Sequence, residues 1–371
     1  MLPTAFGNAG SLTDVLASCL SAVGVRGAEN RLDIPPASSL ILVVVDGLGA
    51  HNLERARGHA RFLCDARHSA RVIETVFPST TAAALTSLMT GESPLRHGIV
   101  GYRIRDPESG AVFNQLNELE RAPAGWMRTP TLAQKFGDAA DVVVVGRSKF
   151  ESSALSAAIY DCTRYVPAES LDDRFSVAAK LSAQSGRVVV VYVSELDSLA
   201  HKYGVGSSAW TDALELFDDA TKRGVVGLPG GVRVVVTADH GVVDVESGAQ
   251  SIFSDSQLTA NVSEIGGEPR CLQLYVTETS HVQAVAGRWI DYVEDSAEVL
   301  TREEAVSRGL FGPVSDAGDG VAERVGDVIV LATSNTVFYD GDAVNKAPQK
   351  MIGQHGAVSE EEMRVPLIVL A

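Results

Sequence analysis

Uninterrupted runs of β-branched apolar residues, each leading into an acidic residue, constrain this chain more than any other feature. Leu40-Ile41-Leu42-Val43-Val44-Val45 runs into Asp46. Residues 187–193 lead to Asp197, and residues 232–237 lead to Asp239. Runs without polar alternation suit strands buried on both faces, as in parallel sheets covered by helices. Helix-patterned segments alternate with them at residues 82–89, 130–136, 170–183 and 209–221. The predicted class is therefore α/β: a mainly parallel central sheet with helices on both faces. Further strands are expected at 141–145 and 365–370. The last is placed at an edge, because Pro366 has no ladder donor.

The organisation expected along the chain has three parts. Residues 1–35 form an N-terminal helical segment, with Leu12, Val15, Leu16 and Leu20 spaced for one face and Pro35-Pro36 ending it. Residues 36–244 and 346–371 form the α/β core. Residues 245–345 form a smaller inserted α+β cap, with strands at 271–276 and 327–332, a helix at 281–293 and the turn-rich Gly318-Asp319-Gly320.

Composition excludes some functions. The 371 residues are 45% hydrophobic, enough for a sizeable core, and carry a formal net charge of -16. A surface this acidic repels polynucleotide backbones and anionic membranes, so no large nucleic-acid or membrane interface is expected. It leaves room for a small anionic substrate, because bound metal ions reverse the local potential. The four scattered cysteines form no CxxC pair and read as reduced thiols. Met1-Leu2-Pro3-Thr4-Ala5-Phe6-Gly7 lacks the pattern of a signal peptide, and no apolar run is long enough to span a bilayer. A soluble, cytoplasmic protein is expected; the oligomeric state is left open.

Polar residues at the strand ends carry the chemistry. Asp46, followed by Gly47, sits where sites form in parallel sheets, as a metal ligand or as a helix cap. Thr80 and Thr81 open a helix after Phe77-Pro78, either as an N-cap or as a hydroxyl facing the positive end of the dipole. Asp197 and His201 lie one helical turn apart and can grip one ion. Adjacent Asp239 and His240 can both reach the same ion, and His355 either completes the set or is structural. Arg147 and Lys149, just beyond a strand end, are the basic residues best placed to meet a substrate anion. His51, His59, His68 and His281 read as solvated or structural; His97 is ambiguous.

These segments resemble the alkaline phosphatase superfamily, most closely its type I phosphodiesterase/nucleotide pyrophosphatase branch. The likeness rests on Val45-Asp46-Gly47, Phe77-Pro78-Ser79-Thr80-Thr81, His97-Gly98-Ile99, Ser194-Glu195-Leu196-Asp197-Ser198-Leu199-Ala200-His201, Thr237-Ala238-Asp239-His240-Gly241 and His355-Gly356. It implies an alkaline-phosphatase-like fold with Thr81 as nucleophile. It also implies two divalent ions, most simply zinc with manganese or iron as alternatives. One would be held by Asp46, Thr81, Asp239 and His240, the other by Asp197, His201 and His355. Two such ions bring four positive charges, which three aspartates and a Thr81 alkoxide cancel. A singly charged phosphodiester or phosphoanhydride group suits that balance. A phosphomonoesterase, a phosphonate hydrolase or a phosphomutase could use the same scaffold, and a non-catalytic metal-binding protein is the reading from another class.

Overall fold

A computed structural model describes residues 10–66 and 70–370; Met1–Gly7 and His68 lie outside them. The apolar runs form a seven-stranded sheet. Its order is Ala70–Glu74, Arg364–Leu370, Val232–Ala238, Ser39–Val45, Arg187–Val193, Asp141–Gly146, Arg164–Pro167. Ser39–Val45 is central and parallel to both neighbours, and every one of its residues is buried, so both sheet faces are covered. The sheet is parallel out to Arg164–Pro167 and turns antiparallel only at Arg364–Leu370 and Ala70–Glu74. This is the mixed, mainly parallel α/β architecture that the apolar runs predict.

The Arg364–Leu370 strand lies inside the sheet, not at its edge as expected. The ladder with its inner neighbour begins at Leu367 opposite Thr237, one residue past Pro366. The missing N–H therefore falls outside that ladder. The edge is Ala70–Glu74, whose first three residues are exposed. The helix expected over the N-terminal segment is shorter than predicted. Leu12–Asp14 forms a 3-10 turn, Val15–Ala22 is helical, and Gly24 and Gly27 then take positive φ.

A second, six-stranded sheet is antiparallel throughout. Its order is Ala297–Thr301, Val328–Ala332, Cys271–Val276, Val262–Glu268, Arg103–Arg105, Val112–Asn114. Its last two strands come from the segment that the sequence reading gave to the core. Among the described residues no helix is long and apolar enough to cross a membrane. Among the described residues no disulfide forms, and the Cys19 and Cys271 thiols are buried.

The elements position the site through their ends. Val45, Val193 and Ala238 finish three neighbouring parallel strands, and their next residues enter one crevice. The Thr81–Thr90 helix is buried along its whole length and stops at Gly91, which takes the left-handed conformation at φ 73°.

Candidate metal centre

Asp46 leaves its strand directly into the crevice. Gly47 follows at φ 74°, and a Cβ there would fall 3.0 Å from Asp197 Cβ. That close approach brings the ends of two strands together. Asp197 and His201 lie on the Glu195–Tyr203 helix, with His201 Nε2 3.3 Å from Asp197 Oδ2. Asp239 and His240 follow Ala238 and are completely buried. His355 follows the short Gly353–Gln354 strand, with Nε2 3.8 Å from Asp197 Oδ1.

The six predicted side chains form two triads. Asp197, His201 and His355 make one; Asp46, Asp239 and His240 make the other. Within each triad the donor atoms lie within 4.8 Å of one another. The triads touch: the rings of His240 and His355 stack at 3.7 Å. Thr81 Oγ1 is 3.2 Å from His240 Nε2 and 3.5 Å from Asp46 Oδ1. Thr80, the N-cap residue, makes no side-chain capping bond, and its hydroxyl is buried without a partner.

The hydrogen bonds around the imidazoles limit what this pocket could hold. His201 Nδ1 lies 2.7 Å from Gly353 O, His240 Nδ1 3.1 Å from Gly241 O, and His355 Nδ1 2.8 Å from Ser79 O. A carbonyl only accepts, so each Nδ1 carries a proton and a neutral ring presents its Nε2 lone pair inward. Those lone pairs face buried carboxylates at 3.3–3.8 Å. Asp239 Oδ2 and Asp197 Oδ1 have no hydrogen-bond partner although both are buried. Lone pairs turned on lone pairs inside a protein call for a cation between them. The donor set, all imidazole and carboxylate, fits zinc and tolerates manganese or iron.

The pKa shifts show the same frustration. Burial, reinforced by the Asp46 carboxylate, drives the Asp239 carboxyl far above its usual range. Burial opposes a charge on His240, but Asp239 and Asp46 outweigh it and raise its pKa to about 10. His355 goes the other way: burial and then His240 push it well below the usual imidazole value. Protonation can therefore relieve only part of the cluster. Burial also opposes ionisation of Asp197, yet His201 holds its carboxyl below the ordinary range.

Tyr192, which the sequence reading did not select, donates its hydroxyl to Asp46 Oδ2. Burial and the Asp46 carboxylate keep its phenol protonated. Its one sequence signal is a polar-tipped residue in an otherwise valine-rich strand, Arg187–Val193. Arg147 and Lys149 are engaged elsewhere: Arg147 Nε bonds Glu169 at 3.3 Å, and Lys149 Nζ stands 4.5 Å from the Phe150 ring centre. That ring packs edge-on against Tyr192. Ala84, three residues after Thr81, is wholly buried in its helix and carries no side-chain donor. His97 is a core residue: its Nδ1 accepts from Ile99 N, and its Nε2 meets Ser87 Oγ at 2.8 Å. Exposed His59 pairs with Glu215.

Comparison with known proteins adds the following. The family model for type I phosphodiesterase / nucleotide pyrophosphatase matches residues 40–357. Venom phosphodiesterase 2 of Crotalus adamanteus is 24% identical over 220 residues, covering 56% of this chain and 27% of the venom protein. This chain thus spans about a quarter of that relative's length. Phosphonoacetate hydrolase from Sinorhizobium meliloti 1021, solved with phosphonoformate, superposes with a TM-score of 0.68 at 22% identity over 90% of both chains. Murine ectonucleotide pyrophosphatase / phosphodiesterase 5 does so with 0.68 at 18% identity, over 88% of this chain and 87% of that one. The same murine protein has been solved as an inactive threonine-to-alanine variant in complex with AMP, at a TM-score of 0.66 and 17% identity over 88% and 87% of the chains.

Proposed function

Because the chain belongs to the type I phosphodiesterase / nucleotide pyrophosphatase family, we propose that it is a metal-dependent hydrolase of phosphodiester or phosphoanhydride bonds that works through a phospho-threonine at Thr81. The observation that carries this reading is the pair of facing triads with Thr81 Oγ1 beside one of them. Asp46, Asp239, His240 and Thr81 would hold one divalent cation, and Asp197, His201 and His355 the other. Cations so held supply Lewis acidity, lowering the pKa of an oxygen nucleophile and neutralising charge on the leaving oxygen.

The chain's own groups do the rest. Thr81 is the first residue of the Thr81–Thr90 helix, so its hydroxyl and the first amides share the positive end of the dipole. A phosphoryl group seated there has its non-bridging oxygens directed at backbone N–H groups. Thr81 Oγ1 loses its proton and forms the new bond to phosphorus as the bond to the leaving oxygen breaks, and that oxygen departs with a proton taken up in exchange. Water then cleaves the phospho-threonine, returns the hydroxyl and releases the phosphorylated half. Tyr192 holds Asp46 from behind throughout.

The three-carboxylate charge balance favours a singly charged diester over a monoester dianion. Phosphonate cleavage would use the same centre and is the second reading, since one neighbour in fold is a phosphonoacetate hydrolase. Turnover of an aryl phosphodiester, an aryl phosphomonoester and phosphonoacetate by the zinc-loaded protein separates them. Thr81→Ala should lower diester turnover at least about a thousandfold while zinc content stays the same. A variant that still turns over, or a wild type that leaves every diester intact, refutes the assignment.

A further inference from the structure

Residues 355–357 carry His355 of the Asp197–His201–His355 triad, and they are held from two directions. From the core, Ser79 accepts His355 Nδ1–H at its carbonyl, accepts Gly356 N–H at its hydroxyl (3.0 Å), and donates that hydroxyl to Ala357 O (2.8 Å). On the other side, Ala357 N donates to Glu362 Oε1 at 2.9 Å, and Glu362, in the Glu360–Met363 helix, is in turn gripped by the fork of Arg270 from the second sheet. The fork distances are 2.7 Å (Nε to Oε1) and 2.8 Å (Nη2 to Oε2), with both residues fully buried. Arg270 also donates to Ser334 O and Thr336 O.

Glu268 acts by shape. Gly356 has φ 123°, and a Cβ built on it would collide with Glu268 Cγ. The Glu268 side chain therefore fills the space that an ordinary residue's own side chain would take beside His355. Its Oε2 accepts from Tyr102 N at 3.1 Å, while Oε1 is buried with no hydrogen-bond partner. Glu268 and Arg270 flank Pro269 at the tip of the hairpin that joins Val262–Glu268 to Cys271–Val276.

We propose that this hairpin tip is a buttress for one cation site: Glu268 and Arg270 are positioning residues that fix His355 from the second sheet. The proposal rests on the two-cation reading above. A glycine beside a ligand leaves the imidazole free to swing unless something occupies the glycine's open side. Glu268 does so, and Arg270 pins the next residue through Glu362. The second sheet thereby shapes the metal site through the tip of one hairpin. Burial, with a further contribution from Glu362, raises the Glu268 carboxyl to about 8, so glutamine is a fair replica of its neutral form.

Zinc titration by calorimetry, with bound zinc counted by native mass spectrometry, tests this. The wild type should bind two ions. Glu268→Ala should weaken one of them about tenfold or more, as losses of groups supporting a ligand do. That ion should be the one that His355→Ala loses. Glu268→Gln should restore it. Glu268→Ala empties the space beside Gly356 and frees Tyr102 N–H, so the metal-free midpoint should fall somewhat, but the affinity of the other ion should hold, which separates a local support from a general loosening. Two wild-type affinities in Glu268→Ala, or both affinities falling in step with stability, overturn the buttress. A wild type that binds no zinc overturns the metal reading itself. If Glu268→Ala does not fold, Arg270→Lys, which keeps the charge and loses the fork, takes its place with the same two outcomes.

Discussion

Asp46 divides its oxygens: Oδ2 accepts from Tyr192, while Oδ1 faces His240 and Thr81. Tyr192→Phe leaves the ring packing and removes only that donor. Zinc affinity should fall about tenfold, read by competition with a chromogenic chelator, while the melting temperature of the metal-free form holds. His97 carries a different prediction. Burial first, and then Arg324, depress its pKa to about 3 from an ordinary 6.5, so the folded protein keeps it neutral where the unfolded chain protonates it. The unfolded state then binds more protons between those values, and stability falls as pH drops from about 6.5 towards 3. Denaturation midpoints across that window should show a slope that His97→Gln reduces; an unchanged slope would place the proton uptake elsewhere. At this scale the sequence was legible for the six candidates Asp46, Asp197, His201, Asp239, His240 and His355, acidic and imidazole residues most of which stand at or near predicted strand ends. All six are drawn together as expected. Tyr192 was not legible, since a tyrosine in a buried strand looks like packing until its hydroxyl's partner is seen.

Long elements could be read from the chain because burial on both faces leaves an unbroken apolar run, as in Ser39–Val45 and Val232–Ala238. Short ones could not. Arg103–Arg105 and Val112–Asn114 have three residues each and no such run; their partners in the second sheet recruit them. The Pro366 inference went wrong for a related reason. A proline forbids a donor at one position, and the inner ladder of that strand starts one residue later. The Thr81–Thr90 helix is where an element can be tested directly. Gly91 closes it in the left-handed region with ordinary clearance from Leu132, so Gly91→Ala meets backbone strain and little crowding. The expected cost is about 1 kcal/mol, read as a lower denaturant midpoint at unchanged slope. A neutral result would mean that the cap relaxes to another conformation.

At the scale of the molecule, the two triads join residues from position 46 to position 355. Cations held there would bind the folded chain and have no comparable site in the unfolded one. Each ion at a hundred times its dissociation constant adds about 2.7 kcal/mol. Chelation should therefore lower the melting temperature, and restoring zinc should recover it; a melting curve indifferent to both would argue against a bound pair. The seven-stranded sheet has its own consequence. Apart from a single bridge from Glu74 to Ser11, Ala70–Glu74 pairs along its length with Arg364–Leu370, so Val72 must wait for Pro366 to be synthesised. On the ribosome this strip stays bare while almost all the intervening polypeptide emerges. A nascent chain halted anywhere short of residue 364 leaves two raw sheet margins open to stray pairing, which makes this seam a natural place for a chaperone to act.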